Sequence, residues 1–261
     1  MTILVIYTKA RIRIGVKAPY RPRRRANGSR GSEVRVPGTN VSNESLTAQE
    51  LAGLSLEFET APASKVIRWA VDTFGDSVVL AASFEDIVLV DLATKVNPRL
   101  EVVFLDTEEH FPETLEFVEQ VRARYDLNLT VTKPGAESVA HPCGTDLCCQ
   151  FRKVEPLRRA TSGRSAWLTS LRRSDGPTRA DAPIVSWDNG FGLVKINPLA
   201  RWTDEDIASY LKDHDLPVHP LIMRGYRSIG CAPTTRPVAD GEDARAGRWA
   251  GTDKSECGLH A

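Results

Sequence analysis

From Thr47 onward the spacing of apolar positions keeps switching, and the switches mark out helices and strands in alternation. Thr47-Ala48-Gln49-Glu50 has the Thr-x-x-Glu spacing of a capping box, in which hydroxyl and carboxylate each satisfy a backbone N–H of the other residue. Pro62 suits the first turn of a helix. Its Val66, Ile67, Ala70, Val71 and Phe74 recur three and four apart on one face, and Gly75 stops it. Val78 to Ala82 is an apolar run too short for a helix and predicts a buried strand. Ile87 to Lys95 predicts a helix, Val102 to Leu105 a strand, Phe111 to Tyr125 an amphipathic helix and Leu129 to Val131 a further strand. Buried strands separated by helical stretches imply an α/β fold with a parallel sheet and helices on both faces.

Composition narrows the class. A chain of 261 residues can bury a sizeable core, and no apolar run approaches the ~20 residues of a membrane span. Five cysteines, an odd number without a secretory apolar leader, argue for a reducing cytoplasm and against a disulfide scaffold. Charge sums to zero but is unevenly spread. Residues 1–40 hold ten Lys/Arg and one acid, a net of +9 that leaves −9 for the remainder. The expected organisation is therefore a basic, disordered extension over 1–45 and one α/β domain over 46–261. The run Arg21-Pro22-Arg23-Arg24-Arg25 could attract phosphates, but it lacks aromatic interleaving beyond Tyr20, and nucleic acid is not the expected partner.

In open parallel sheets, ligands sit beyond the carboxyl ends of strands, near helix N-termini that favour anions. Ser83-Phe84-Glu85-Asp86 follows the first strand, and Asp106-Thr107 follows the second. The cysteines supply a second kind of chemistry. Cys148 and Cys149 are adjacent and cannot readily bridge each other, which favours metal ligation, and Cys231 lies on a turn bounded by Gly230 and Pro233. The alternative is three reduced core thiols. Cys257 lies in Glu256-Cys257-Gly258-Leu259-His260, on a tail able to swing a thiol over a bound ligand and away again.

Several of these strings together carry a resemblance. Cys148-Cys149-Gln150-Phe151-Arg152-Lys153-Val154-Glu155-Pro156-Leu157, Leu171-Arg172-Arg173, Pro177-Thr178-Arg179, Ser228-Ile229-Gly230-Cys231-Ala232-Pro233, Gly247-Arg248-Trp249 and the Cys257 tail occur in that order. The chain resembles the assimilatory adenylyl-sulfate reductases, relatives of the phosphoadenylyl-sulfate reductases, from about Thr47 onward. The resemblance implies an adenine nucleotide alpha-hydrolase-like sheet, adenosine 5′-phosphosulfate as substrate, and a role in sulfate assimilation. It further implies Ser83, Phe84 and Thr107 at the nucleotide, and Lys153, Arg179, Arg245, Arg248 and His260 at the phosphosulfate. Arginine's planar fork and lysine's point charge both suit such oxyanions. No Gly-x-x-x-x-Gly-Lys-Ser/Thr or Ser-Gly-Gly-x-Asp-Ser loop is present, which argues against ATP pyrophosphatases on the same sheet and a sulfate adenylyltransferase subunit.

The same resemblance implies Cys257 as the nucleophile, forming an S-sulfocysteine that an external dithiol, thioredoxin in this family, resolves to sulfite. It also implies a 4Fe-4S cluster on Cys148, Cys149 and Cys231. Here the chain departs from the pattern: the family closes its second pair as Cys-x-x-Cys, and this chain reads Cys231-Ala232-Pro233-Thr234. Water, an added thiol or an open iron could fill the fourth position, and so could Cys143 if its loop folds back. Two other readings stand beside this one. The first is a cluster-free enzyme acting on the 3′-phosphorylated nucleotide, and the second a non-catalytic iron-sulfur or zinc protein that would not need Cys257.

Overall fold

The computed structural model describes residues 46–250, 254 and 256–260; the basic arm and its expected disorder lie outside them. Thr47 caps helix α1 (Ala48–Phe58) through the predicted box: Glu50 N–H donates to Thr47 Oγ1 at 3.2 Å, and Thr47 N–H donates to Glu50 Oε2 at 2.7 Å. Helix α2 (Ala63–Phe74) buries Val66, Ile67 and Ala70 along the predicted stripe and ends at Gly75. The next elements follow the predicted order: β1 (Val78–Ala81), α3 (Val88–Val96), β2 (Glu101–Leu105), α4 (Pro112–Tyr125) and β3 (Leu129–Thr132).

Beyond them come α5 (Asp146–Cys149), a π-helical turn (Gln150–Val154), α6 (Glu155–Thr161), β4 (Ala166–Thr169), β5 (Val185–Asp188), β6 (Leu193–Ile196) and α7 (Asp204–Asp213). The strands form one sheet in the order β3-β2-β1-β4-β6-β5. Every pairing is parallel except β5 with β6, an antiparallel hairpin edge. The order runs outward in opposite directions from β1 and β4, so the crevice between their carboxyl ends is the switch point where such sheets bind ligands.

The two faces are unequally covered. Alternate residues Val78, Leu80, Val102, Phe104, Ala166, Leu168, Val194 and Ile196 enter a large core shared with α1, α2, α3, α4 and α7. On the opposite face, Val79, Val103, Trp167 and Leu193 meet only Leu157 of α6 among buried residues, with Ala160, Phe191 and Leu259 packed at the margin. Leu259 belongs to the cysteine-bearing tail. The tail thus supplies apolar cover to a sheet face that has little else. No described helix is long and apolar enough to cross a membrane.

His219, only 1% exposed, ties the segment after α7 to α4. Leu221 N–H donates to its Nδ1 at 3.2 Å, so Nε2 carries the proton and donates to Thr114 Oγ1 at 3.0 Å. Burial pushes its pKa down to about 4. An unfolded imidazole binds its proton near pH 6.5, whereas the folded one stays neutral until about 4. Stability from this group is therefore intact above 6.5 and falls as pH drops through that window, by about 3 kcal/mol. Urea unfolding of wild type and His219→Gln should show their stability difference shrinking from pH 7 to pH 4.5; a constant difference would contradict this account.

Candidate active site

The floor of the site is built from strand ends. Ser83 after β1, Thr107 after β2 and Ser170 after β4 line one cavity at the switch point. Phe84 takes a left-handed backbone (φ 58°) and buries its ring edge-on against Phe104 at 5.5 Å, so its side chain packs into the core and is not among the residues lining the cavity. That turn instead directs Glu85 and Asp86 inward, two residues whose importance the sequence did not reveal. Burial raises the pKa of both carboxyls, partly offset by Arg248 for Glu85 and by the Val88 N–H for Asp86. Thr107 is buried, with Oγ1 3.7 Å from Cys231 Sγ, and its carbonyl accepts from Arg152 Nη1 at 2.7 Å.

Lys153, Arg179, Arg245 and Arg248, widely separated in sequence, converge on this cavity. Lys153 comes from the π-helical turn, which buries Arg152, Lys153 and Val154 in succession. Burial opposes the charge on Lys153, yet the nearby Cys231 and Cys257 sulfurs raise its pKa overall. Arg248 donates to Ser228 Oγ and the Ile229 carbonyl at 3.1 and 3.2 Å and lies 4.8 Å above the Trp249 ring. A Cβ on Gly230 would stand 2.5 Å from the Arg248 guanidinium, so the glycine makes room for that cation. Burial, together with the charges of Arg179 and Arg248, lowers the pKa of Arg245.

The tail enters the same cavity. Glu256 forms a two-point pair with Arg179, Nε to Oε1 and Nη2 to Oε2 both at 2.8 Å, and its Oε2 lies 3.4 Å from Arg245 Nη2. Burial opposes its charge, but Arg179 and Arg245 hold its carboxyl below the ordinary range. Cys257 follows immediately and lines the cavity beside the cations. His260 lies nearly parallel to Trp167, with centroids 5.9 Å apart and planes at 13°. Burial first, then the charges of Lys195, Arg179 and Arg245, drive its pKa well down, and Nδ1 has no partner among the described residues. His260 is therefore a neutral ring in the site and adds no positive charge.

Of the remaining thiols, Cys231 lines the cavity next to Thr107. Cys148 and Cys149 are buried at the end of α5, and Cys231 is buried on the facing turn. Lys254 Nζ reaches Cys149 Sγ at 3.2 Å. Cys143 Sγ lies 3.9 Å from Thr234 Oγ1, and the neighbouring Cys143 and Cys231 thiols act on each other, raising the Cys143 pKa and lowering that of Cys231. Among the described residues, no three His, Cys, Asp or Glu side chains converge as ligands of one metal ion. Thiols with flanking lysines are nonetheless the donor chemistry of an iron-sulfur cluster, whose ligands bind separate irons and need not meet at a point. In that sense the residues fit a cluster and do not fit a single ion.

Fold and site together define a nucleotide-type α/β sheet with a thiol held over an anion-binding pocket. The phosphoadenosine phosphosulfate reductase domain model matches residues 77–237, more than half of the chain. The chain belongs to that family. It is 46% identical over 230 residues to the adenosine 5′-phosphosulfate reductase of Streptomyces coelicolor, covering 83% of this chain and 98% of that relative. It is 47% identical over 215 residues to the enzyme of the same name from Mycobacteroides abscessus, covering 78% and 90%. A phosphate complex of phosphoadenylyl-sulfate reductase from Candida auris superposes with a TM-score of 0.65 at 28% identity, over 74% of this chain and 98% of that one. Candida glabrata FMN adenylyltransferase, at 16% identity and a TM-score of 0.53 over 73% and 74% of the two chains, shares the fold.

Because Glu256 occupies Arg179, it competes with any oxyanion offered to that arginine. Glu256→Gln should bind free sulfate roughly tenfold more tightly, about 1.4 kcal/mol, by equilibrium titration, while Cys257 alkylates faster as the tail loosens. Unchanged sulfate affinity would remove the arginine pair from the anion site.

Proposed function

We propose that the protein is an adenosine 5′-phosphosulfate reductase of sulfate assimilation that uses a thioredoxin-type dithiol. The observation that carries this reading is the Glu256 carboxylate paired to Arg179, one residue before Cys257: an oxyanion is already held within the tail's reach of the thiol. In this reading the adenosine lies along the Ser83 loop and Thr107, and the phosphosulfate displaces Glu256 to meet Lys153, Arg179, Arg245 and Arg248. The neutral His260 offers a hydrogen bond to a substrate oxygen.

Chemistry then needs little movement. The Cys257 thiolate attacks the sulfonate sulfur; an S–S bond forms, the S–O bond to phosphate breaks, and AMP leaves with the electron pair beside the cations. One thiol of the donor then attacks Cys257 Sγ and expels sulfite. The donor's second thiol breaks the resulting mixed disulfide, so the dithiol supplies both electrons and Cys257 is regenerated. Cys148, Cys149 and Cys231 would hold a 4Fe-4S cluster, which when bound supplies a clamp between α5 and the Cys231 turn and a charge felt by Lys153. A rival reading is favoured by Thr234 at the expected fourth ligand position: a cluster-free enzyme acting on the 3′-phosphorylated nucleotide. Turnover on the two nucleotides separates them.

Cys257→Ser should abolish sulfite release yet still bind nucleotide, and wild type given substrate without a dithiol should gain one sulfonate by intact mass. Activity retained in the serine variant would sink the mechanism. Arg248→Ala removes a charge-assisted contact, and Gly230→Ala pushes the same guanidinium aside. Both should lower kcat/KM by one to two decades, about 1.5–3 kcal/mol, with little change in Tm. Ordinary kinetics in either variant would show that Arg248 does not meet the substrate.

A further inference from the structure

Thr234 stands where the family pattern closes its cysteine pair, yet a thiol does lie at that place. Cys143 Sγ is 3.9 Å from Thr234 Oγ1, which sits on the same turn as Cys231, 88 residues along the chain. The loop before α5 is folded back onto the Cys231 turn. Gly144 takes a left-handed backbone (φ 96°), and a Cβ there would stand 2.9 Å from Thr234 Cγ2, so the approach demands glycine.

The loop's path is fixed at both ends. Thr145 Oγ1 donates to the Pro142 carbonyl at 2.9 Å and accepts from Cys148 N–H at 3.1 Å, which locks Cys143 to the start of the helix bearing the cysteine pair. His141 stacks on Phe151 of the π-helical turn, with centroids 4.8 Å apart and planes at 6°. Across the gap, Thr234 N–H donates to the Cys231 carbonyl at 3.1 Å, holding Thr234 and Cys231 on one tight turn.

We propose that Cys143 supplies the fourth thiolate of the 4Fe-4S cluster, so that Cys143, Cys148, Cys149 and Cys231 hold it and Thr234 is not a ligand. The chain has lost a thiol at one position and carries another whose sulfur touches the residue that replaced it. A neutral hydroxyl is a poor iron ligand beside a thiolate, and Thr234 instead presents its methyl to Gly144, packing the loop that delivers Cys143. This inference rests on the cluster part of the functional reading above.

The test compares anaerobically purified wild type, Cys143→Ala, Thr234→Cys and the Cys143→Ala/Thr234→Cys double variant by iron and sulfide content and by electron paramagnetic resonance during controlled oxidation. Wild type should carry a full cluster. Cys143→Ala should lose at least half of its iron and pass through a three-iron signal, and the double variant should regain wild-type iron, which also shows that the fold tolerates the loss of Cys143. Wild-type iron retained in Cys143→Ala would overturn the ligand assignment while leaving the cluster in place, as would failure of the double variant to recover it. An iron-free wild type, with Cys143 and Cys231 joined as a disulfide in a non-reducing peptide map, would overturn both.

Discussion

The structure depends on one electrostatic constraint: like charges have been gathered in a partly desolvated cavity. Lys153, Arg179, Arg245 and Arg248 repel one another where water screens poorly, and the pKa of Arg245 is depressed first by burial and then by the charges of Arg179 and Arg248. The surroundings respond with anions. Asp175 pairs with Arg179 Nη1 at 2.9 Å, and Glu256 takes the rest of that guanidinium. A substrate carrying two negative groups would complete a charge balance that the tail's carboxylate now maintains.

That balance links the tail to the sheet. Glu256 anchors it by charge, and Leu259 and His260 anchor it by packing on the thinly covered face around Trp167. Partial burial of one leucine contributes up to about 2 kcal/mol, and the Glu256–Arg179 pair is largely buried, so desolvation offsets much of its attraction and neither anchor is strong alone. A tail held by weak contacts of two kinds can dock reproducibly and still be displaced by a competing oxyanion.

Much of the first half of the fold was legible because its signals are local. The α2 stripe, the Thr47 box and the short apolar runs of β1 and β2 need only neighbours within four residues. Later elements also carry local signals: Asn189-Gly190 sits in the hairpin between β5 and β6, and Thr203 with Asp206 forms a capping box for α7. The cationic residues were found through family resemblance and do converge. The packing of the Phe84 ring into the core was not legible, since it depends on a left-handed turn that no local pattern announces. Glu256 and Arg179 are 77 residues apart, and no periodicity could announce their pairing. The folded-back Cys143 loop was equally hidden, because its closeness to Thr234 depends on how two distant turns pack.

The π-helical turn at Gln150–Val154 carries a consequence for how this site can vary. A π turn amounts to one residue more than the α-helix would hold, and consecutive residues in an α-helix point about 100° apart. On this turn Arg152 supports Thr107 while its neighbour Lys153 faces the cavity, both downstream of the buried cysteine pair on one continuous helical segment. Helix length here therefore sets the phase between the buried cysteine pair and the cation that lines the cavity. Substitutions along the segment adjust the strength of either group, but a one-residue deletion would rotate one set against the other and separate two chemistries that the chain keeps in register.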